Sequence, residues 1–440
     1  MIVKKIKNFS YLFLFLSLLA GCSTITKVFI SESPRDRYEQ KIRRAGLLET
    51  ALGKAWALAG QKALLDSLTV SIPYREEGYF YPDKAEASGF RFHLKRGEKL
   101  SLSVEKDTLQ KFLIFADLFV SGGSNNKPER VDFADKGIIE YTADRDETYI
   151  LRLQPEILKG GRYTLTIKTG PSLSFPVSGK DARAIESIFG DRRDGGRRRH
   201  EGVDIFAHRD TPVLSASNGV VIRTGEDRLG GKIVLISNLK NLSFYYAHLD
   251  SQLVKAGTYV KEGDEIGLVG NTGNARYTPS HLHFGIYASG HGAINPYPFI
   301  YNLQKAPIDP ELRSKNLGQL VRLKSPKAFL RQSMDKRSRI IMPLGRNSVF
   351  MLNAASRNFY RVETPDGRKG FISNPVLETV EKPILRKNFR KDEEILDMPG
   401  KGASLIASLT AEEELPLYGE FNNYYLVGYK DGYGWIARQI

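Results

Sequence analysis

The chain has 440 residues, and its 65 lysines and arginines against 50 aspartates and glutamates give a formal net charge of +15. This length exceeds one typical domain and predicts roughly two to four of them. The positive charge favours anionic partners such as cell-wall polymers, lipid headgroups or nucleic acid. The chain has a single cysteine, which excludes disulfides within it.

Residues 1–22 have the pattern of a targeting segment. Early lysines precede an apolar run over residues 11–20, which is too short to span a bilayer. The run ends in Leu19-Ala-Gly-Cys22, which resembles the lipobox of bacterial lipoproteins. This resemblance implies export and a lipid anchor at Cys22, and Ser23 implies the outer membrane, facing the periplasm. An ordinary signal peptide or a short buried helix is the alternative, and export makes nucleic acid an unsuitable partner.

Residues 23–69 are predicted to form a tether and one amphipathic helix. Ser33-Pro34 is typical of a helix N-terminus, because serine caps the first turn and proline is tolerated within it. From there to about Asp66, apolar residues recur at steps of three and four, which is the period of one helix face. We expect this helix to pack on its own chain rather than on a partner helix.

Residues 70–178 have the pattern of a β-sandwich. Short segments alternate apolar and polar residues, for example Phe90-Arg-Phe-His-Leu94, and turn-forming clusters separate them. The sequence leaves two roles open for this domain, namely carbohydrate binding and a spacer.

Six of the seven histidines lie within residues 179–300, and four of these six stand in three distinctive contexts. His200 and Asp204 are four residues apart. His281 and His283 are two apart in an alternating run, so in a strand both imidazoles face the same side. His248 ends another strand-like run. Because a catalytic zinc site commonly uses two histidines and a carboxylate and leaves one position for water, these residues predict a zinc hydrolase. Unrelated structural histidines are the alternative.

The patterns His-x-x-x-Asp, Tyr-x-His-Leu and His-x-His-Phe resemble those of the lysostaphin/LytM-type zinc endopeptidases, which cut peptidoglycan peptides. The resemblance covers about residues 185–300. It implies an antiparallel β fold with the metal in a groove, and Zn²⁺ as the cofactor. It further implies that the metal ligands are His200, Asp204 and His283.

The same resemblance makes His248 and His281 the catalytic pair, without deciding which of them is the general base. The basic loop 191–199 precedes the first ligand and is interpreted either as a solvated loop or as a cleft wall that attracts substrate carboxylates. The candidate cleft residues are Arg197, Arg198, Asn271 and His291.

After a polar linker over residues 301–320, the chain contains an internal repeat. Residues 330–362 align without a gap on residues 395–427, at an offset of 65. Both copies end in a pattern of aromatic-x-Val, Asp-Gly and Gly-aromatic-Ile, which resembles bacterial SH3-like domains. We therefore predict two such barrels, at 321–380 and 381–440. They are expected either to bind the cell wall or to pack on the enzyme and cover its groove.

The sequence thus predicts a mainly β, multi-domain protein with an N-terminal helix, a β-sandwich, a LytM-type (duplicated hybrid motif) peptidase domain and two small barrels. The predicted function is zinc-dependent hydrolysis of peptide stems or crosslinks of peptidoglycan by a lipid-anchored protein of the cell envelope. The alternative is a non-catalytic peptidoglycan-binding protein or an activator of other cell-wall hydrolases. All five site positions are present, which favours the enzyme.

Overall fold

The structure is a computed structural model. It describes residues 32–106, 111–123, 127–238, 241–301, 315–373 and 375–438. The predicted targeting segment, including Cys22, lies outside the described residues. Among the residues that are described, none of the helices combines the length and apolar composition that a membrane span requires.

The single amphipathic helix predicted near the N-terminus is two helices, α1 (Pro34–Arg44) and α2 (Ala51–Leu65). Gly46 between them has a left-handed backbone with φ of 73°, which a continuous helix does not accommodate. Ser33 caps α1 as predicted, since its hydroxyl accepts a hydrogen bond from the backbone N–H of Asp36 at 3.2 Å. The helical pattern was therefore correct, and the break lies at a glycine.

The next part of the chain forms two packed sheets whose buried side chains share one core. One sheet has the strand order β1-β3-β8-β5-β6, and the other contains the order β2-β9-β4-β7. The strands are β1 (Leu68–Thr69), β2 (Tyr74–Phe80), β3 (Ser88–Leu94), β4 (Glu98–Lys106), β5 (Ile114–Val120), β6 (Glu129–Phe133), β7 (Ile138–Thr142), β8 (Glu147–Pro155) and β9 (Gly161–Pro171).

The two helices pack on these strands. Trp56 of α2 is 1% exposed, and its indole N–H donates to the carbonyl oxygen of Pro155 at 2.8 Å. Arg35 of α1 donates to the buried side chain of Gln154 at 2.6 Å. The expected packing of the helical region on its own chain is therefore present.

A third sheet lies beside the site histidines, and β11 and β12 form a separate two-stranded sheet in the same part of the chain. We call the strands β10 to β21 together the histidine domain. Its main order is β10-β13-β20-β17-β16-β15-β18, and all of these pairings are antiparallel. Its elements are β10 (Ile185–Ser187), β11 (Arg192–Arg193), β12 (Arg198–Arg199), β13 (Val203–Phe206), β14 (Pro212–Leu214), β15 (Gly219–Asp227), β16 (Gly231–Ser237), β17 (Leu242–Gln252), β18 (Tyr259–Val260), β19 (Glu265–Val269), β20 (His281–Ala288), β21 (Gly292–Ile294) and α3 (Tyr297–Ile300).

The two copies of the repeat have the same strand pairing. In the first copy β23 pairs with β24 and β27, β25 with β22 and β26, and β26 with β27; in the second copy the equivalent strands β29 to β34 pair in the same way. The strands are β22 (Leu320–Leu323), β23 (Lys327–Arg331), β24 (Ile340–Gly345), β25 (Val349–Ser356), β26 (Phe359–Glu363), β27 (Lys369–Ser373), β28 (Leu377–Thr379), β29 (Leu385–Phe389), β30 (Glu393–Leu396), β31 (Leu405–Leu409), β32 (Glu413–Phe421), β33 (Tyr424–Tyr429) and β34 (Gly432–Ala437). The repeat found in the sequence is therefore also a repeat of strand pairing. The SH3-like character of the two copies stays a prediction.

The first copy of the repeat is joined to the sandwich by a shared sheet. Strand β2 pairs with β9 on one side and with β25 on the other. At this junction Glu76 and Arg361, which are 0% and 3% exposed, form a buried ion pair at 3.1 Å. Separation of β2 from β25 would therefore expose this ion pair and the hydrogen-bonding edges of both strands.

Candidate metal centre

Three side chains meet in a cleft of the histidine domain. Nε2 of His200 lies 2.9 Å from Oδ1 of Asp204 and 3.0 Å from Nδ1 of His283. The third side of this triangle, from Nδ1 of His283 to Oδ1 of Asp204, is also 3.0 Å. Within the described ranges, these residues form the one group of three histidine, cysteine or acidic side chains that is arranged to hold a metal ion.

The hydrogen bonds around this triangle fit a bound cation. Nδ1 of His200 lies 2.9 Å from the carbonyl oxygen of Ile188 and donates its proton there, which leaves a lone pair on Nε2. That lone pair and the carboxylate oxygen of Asp204 are both acceptors, so they repel each other unless a cation or a proton lies between them. Zinc accepts nitrogen and oxygen ligands at about 2.0–2.2 Å, and two imidazoles with one carboxylate are a common set. These residues therefore suit zinc.

Strand pairing explains why two of the three groups converge. Asp204 on β13 and His283 on β20 are direct partners in the antiparallel register. Gly202, just before β13, permits this approach, because a Cβ there would lie 2.5 Å from the carbonyl oxygen of Phe284 and 2.8 Å from Nε2 of His283. The glycine is needed for close packing against the ligand.

The predicted alternation along β20 is present. Leu282, Phe284 and Ile286 are 0% exposed and pack in the core of the histidine domain. His281 and His283 alternate with them and line the cleft on the other side. The buried apolar face of this strand therefore holds the opposite face, which carries the two imidazoles, in position.

The surroundings favour metal-binding protonation states. Burial opposes ionisation of Asp204, but the close approach of the His200 and His283 side chains outweighs it and holds the pKa of Asp204 well below its usual range. Burial also lowers the pKa of His283, against the opposing effect of the carboxylate. An ionised carboxylate and a neutral imidazole are the forms that bind zinc.

His248 and His281 lie beside the triangle, with ring centroids 5.0 Å apart. Nδ1 of His248 donates to the carbonyl oxygen of Thr272 at 2.9 Å, and Nδ1 of His281 donates to that of Pro279 at 2.8 Å. In the neutral rings Nε2 therefore carries the lone pair. Burial and the neighbouring histidines lower the pKa of His248 to about 4, so this ring is a neutral proton acceptor at neutral pH.

The backbone at His248 is unusual for a residue with a side chain. Its φ is 63°, in the left-handed region. Its N–H donates to the carbonyl oxygen of Gly230 at 2.7 Å, which holds β17 against the turn between β15 and β16. Strained backbone of this kind clusters at functional sites, where the surrounding structure holds it in place.

These five residues line an open cleft of about 910 Å³. Every described residue that lines it lies between 186 and 287, so in the part of the chain that the structure describes, neither the N-terminal helices nor the repeat copies cover it. The lining also includes acidic, basic and tyrosine side chains, among them Glu186, Arg193, Asp194, Arg198, Arg199, Glu201, Asp227, Arg228, Tyr245 and Tyr287.

Of the four predicted cleft residues, the structure places only Arg198 in the lining, which is a correction. Arg197 bonds to the backbone of its own hairpin, at the carbonyl oxygen of Asp194. Asn271 is held by Arg209 on a neighbouring loop, and His291 is exposed at the turn after β20. All three are close in sequence to site residues, but none of them is among the residues that line the cleft.

Sequence reasoning missed the residues that support the ligands. Arg193 donates to Oδ2 of Asp204 at 2.6 Å, and Oγ of Ser187 lies 3.2 Å from Nδ1 of His200. The basic composition of the loop 191–199 indicates only its overall positive charge. No local signal distinguishes Arg193 from the other arginines, because its role depends on how the hairpin folds back.

Comparison with known proteins identifies this domain. Residues 198–296 match Peptidase family M23, so the chain carries an M23 peptidase domain. The chain is 38% identical over 138 residues to the L-Ala--D-Glu endopeptidase of Bacillus subtilis, covering 29% of this chain and 42% of that protein. It is 36% identical over 121 residues to the peptidoglycan DD-endopeptidase ShyC of Vibrio cholerae, covering 27% and 28%.

Among solved structures, the catalytic domain of lysostaphin from Staphylococcus simulans is similar to this chain, with 33% identity, coverage of 26% of this chain and 88% of that one, and a TM-score of 0.24. The matches to the two endopeptidases span less than half of their length. What the comparisons show for this chain is the match of residues 198–296 to Peptidase family M23.

Proposed function

We propose that this protein is a zinc-dependent endopeptidase that hydrolyses peptide stems or crosslinks of bacterial peptidoglycan. The observation that carries the proposal is the convergence of His200, Asp204 and His283 within 3.0 Å, beside two further histidines in an open cleft. The names of the related endopeptidases support peptidoglycan as the substrate.

The chemistry of each residue follows from its contacts. His200, Asp204 and His283 would hold zinc, which would supply a bound water of lowered pKa and polarise a carbonyl. His248 and His281 each keep a proton on Nδ1 for a backbone carbonyl, so Nε2 can take a proton from the water. The same nitrogen, once protonated, can donate a hydrogen bond to the oxyanion or transfer its proton to the departing amine. Both histidines fit either role.

The arginines of the cleft suit an anionic substrate. Arg198, Arg199 and Arg228 line it close to the metal ligands. Peptidoglycan stems carry free carboxylates, and guanidinium groups bind carboxylates strongly through paired hydrogen bonds. The lining also contains carboxylates, of which Asp194 pairs with Arg198, and Glu201 and Asp227 accept hydrogen bonds from the hydroxyls of Tyr287 and Tyr245. Arg199 and Arg228 are therefore the arginines that we propose for contact with a substrate carboxylate.

We further propose attachment of the mature chain to a membrane through a lipid on Cys22, at the cell envelope. The lipobox-like Leu19-Ala-Gly-Cys22 supports this location. The outer membrane facing the periplasm is the proposed compartment. Mass spectrometry of the protein purified from membranes would find a diacylated cysteine as the first residue if the proposal is correct, and a free or absent Cys22 would refute it.

A digestion experiment separates the enzyme from a non-catalytic wall-binding protein or an activator of other hydrolases. Soluble protein beginning after Cys22 is incubated with purified crosslinked peptidoglycan, with and without a zinc chelator, and the fragments are identified by mass spectrometry. We expect chelator-sensitive release of new amino termini, and the fragment masses name the bond that is cut. Binding to the wall by zinc-loaded protein without any cleavage would support the non-catalytic alternative.

A further inference from the structure

The two oxygens of the Asp204 carboxylate have different surroundings. Oδ1 faces both imidazoles of the metal centre, at 2.9 Å from His200 and 3.0 Å from His283. Oδ2 accepts a hydrogen bond from Nη2 of Arg193 at 2.6 Å. One oxygen is therefore directed to the metal position, and the other is held by a guanidinium group.

The hairpin that carries Arg193 is built to hold this contact. Arg193 on β11 pairs with Arg198 on β12. Between the strands, Asp194, Gly195 and Gly196 all have left-handed backbone, with φ of 52°, 67° and 95°, which folds the hairpin back tightly. Asp194 also accepts a hydrogen bond from Nε of Arg198 at 2.5 Å across the turn.

A second contact fixes the guanidinium in place. The same Nη2 of Arg193 donates to Oγ of Ser187 at 2.7 Å. Ser187 in turn donates to Asp191 at 2.9 Å and lies 3.2 Å from Nδ1 of His200. One serine therefore links the contacts that support His200 and Asp204. The bonds to Ser187 and Asp204 restrain the guanidinium group of Arg193, whose side chain is 35% exposed.

We propose that Arg193 is a positioning residue that restricts Asp204 to a single metal-facing oxygen. This inference rests on the proposed metallopeptidase function. A carboxylate can bind a cation through one oxygen or through both. With one atom from each of three residues, a tetrahedral site keeps its fourth position for water, and a second carboxylate oxygen would compete for that position. The charge-assisted bond from Arg193 prevents Oδ2 from turning inward.

The test uses Co²⁺ in place of zinc, because the visible absorption of Co²⁺ is strong in four-coordinate sites and weaker when the coordination number rises. The variants are Arg193→Met, which removes the donors, and Arg193→Lys, which keeps a charged donor. Arg197→Met is the matched control, because that arginine belongs to the same hairpin and donates to the backbone carbonyl of Asp194. Circular dichroism of each variant verifies folding, and kcat and KM are measured on peptidoglycan fragments with the zinc forms.

We expect Arg193→Met to weaken the Co²⁺ absorption and to lower kcat by about 10–100-fold with little change in KM, the usual range for loss of an outer partner of a ligand. Arg193→Lys should restore most of the absorption, and Arg197→Met should match the wild type. An unchanged spectrum in Arg193→Met refutes the inference, and a raised KM with that unchanged spectrum would assign Arg193 to substrate binding. In either case cleavage by the wild type keeps the proposed function intact, whereas a wild type that binds no metal refutes both.

Discussion

Asp204 and His283 are direct partners in the register of two neighbouring antiparallel strands, and their side chains meet at 3.0 Å between Oδ1 and Nδ1. A sheet register slips only in whole residues, and a slip of one would turn either side chain to the opposite face. The buried residues on the core face of β20 therefore fix the metal centre as well as the core. This relationship makes the site sensitive to packing changes that leave the ligands themselves intact.

Replacement of a predicted ligand should remove both metal and activity. We expect Asp204→Asn to lower peptidoglycan cleavage by more than about 100-fold, because loss of an outer partner alone costs up to that factor. Zinc content, measured by atomic emission, should fall with it. The matched control is Asp250→Asn, since Asp250 lies in the same domain and pairs with Arg209 outside the cleft. Full zinc occupancy and activity in Asp204→Asn would remove Asp204 from the ligand set.

The glycine beside the ligands should not tolerate a side chain. A Cβ at Gly202 would lie 2.5 Å from the carbonyl oxygen of Phe284, so Gly202→Ala must move β20 and with it His283. We expect a loss of about 1–3 kcal/mol in the free energy of unfolding, together with weaker zinc binding. Gly170→Ala is the control, because a Cβ there meets no atom within 4 Å. Equal stability and zinc affinity in both variants would contradict the close approach.

The metal-free protein should lose stability in mild acid because of His248. Burial lowers the pKa of His248 from 6.5 to about 4, so the folded state binds its proton less readily than the unfolded chain. This contribution is fully present above pH 6.5 and is lost as the pH falls towards 4, to a total of about 3 kcal/mol.

The measurement is urea unfolding of chelator-treated protein between pH 8 and about pH 4. His248→Asn, whose amide can still donate to the carbonyl of Thr272, should show a smaller fall in stability over this range. The exposed His208 provides a control as His208→Asn, which should follow the wild type. If His248→Asn loses as much stability as the wild type, then His248 is not held neutral by burial.

The junction between the sandwich and the first repeat copy should depend on one buried ion pair. We expect Arg361→Met to cost about 3–5 kcal/mol, because it leaves the charge of Glu76 buried without its partner. The double variant Glu76→Gln with Arg361→Met should recover part of that loss. Arg386→Met removes an exposed pair with Glu414 and should cost less than about 1 kcal/mol. Similar unfolding free energies for the two arginine variants would show that burial does not matter here.

Local sequence patterns predicted many of the strands and the candidate ligands, because strand alternation and ligand spacing depend on residues close together in the chain. The alternation in His281-Leu-His-Phe284 places two imidazoles on one face by geometry alone. The sequence also showed the repeat, because two segments with the same spacing of apolar residues are expected to form the same strands in the same order. The break at Gly46 carried a signal too, because a glycine inside a helical pattern can end the helix.

Contacts between distant segments had no such signal. The pairing of β2 with β25 joins residues 77 and 355, and the sequence around either gives no indication of its partner. Arg193 likewise differs from the other arginines of its loop only after the hairpin has folded over Asp204. Both features depend on tertiary packing, which short-range periodicity does not encode.

The central claim is that His200, Asp204 and His283 bind the zinc that makes this protein a peptidoglycan hydrolase. The most direct test titrates zinc into chelator-treated protein and follows metal binding and cleavage of peptidoglycan in the same samples. We predict that activity rises in proportion to bound zinc and saturates at about one ion per chain. Full cleavage by metal-free protein, or one bound zinc without any cleavage, would contradict the account.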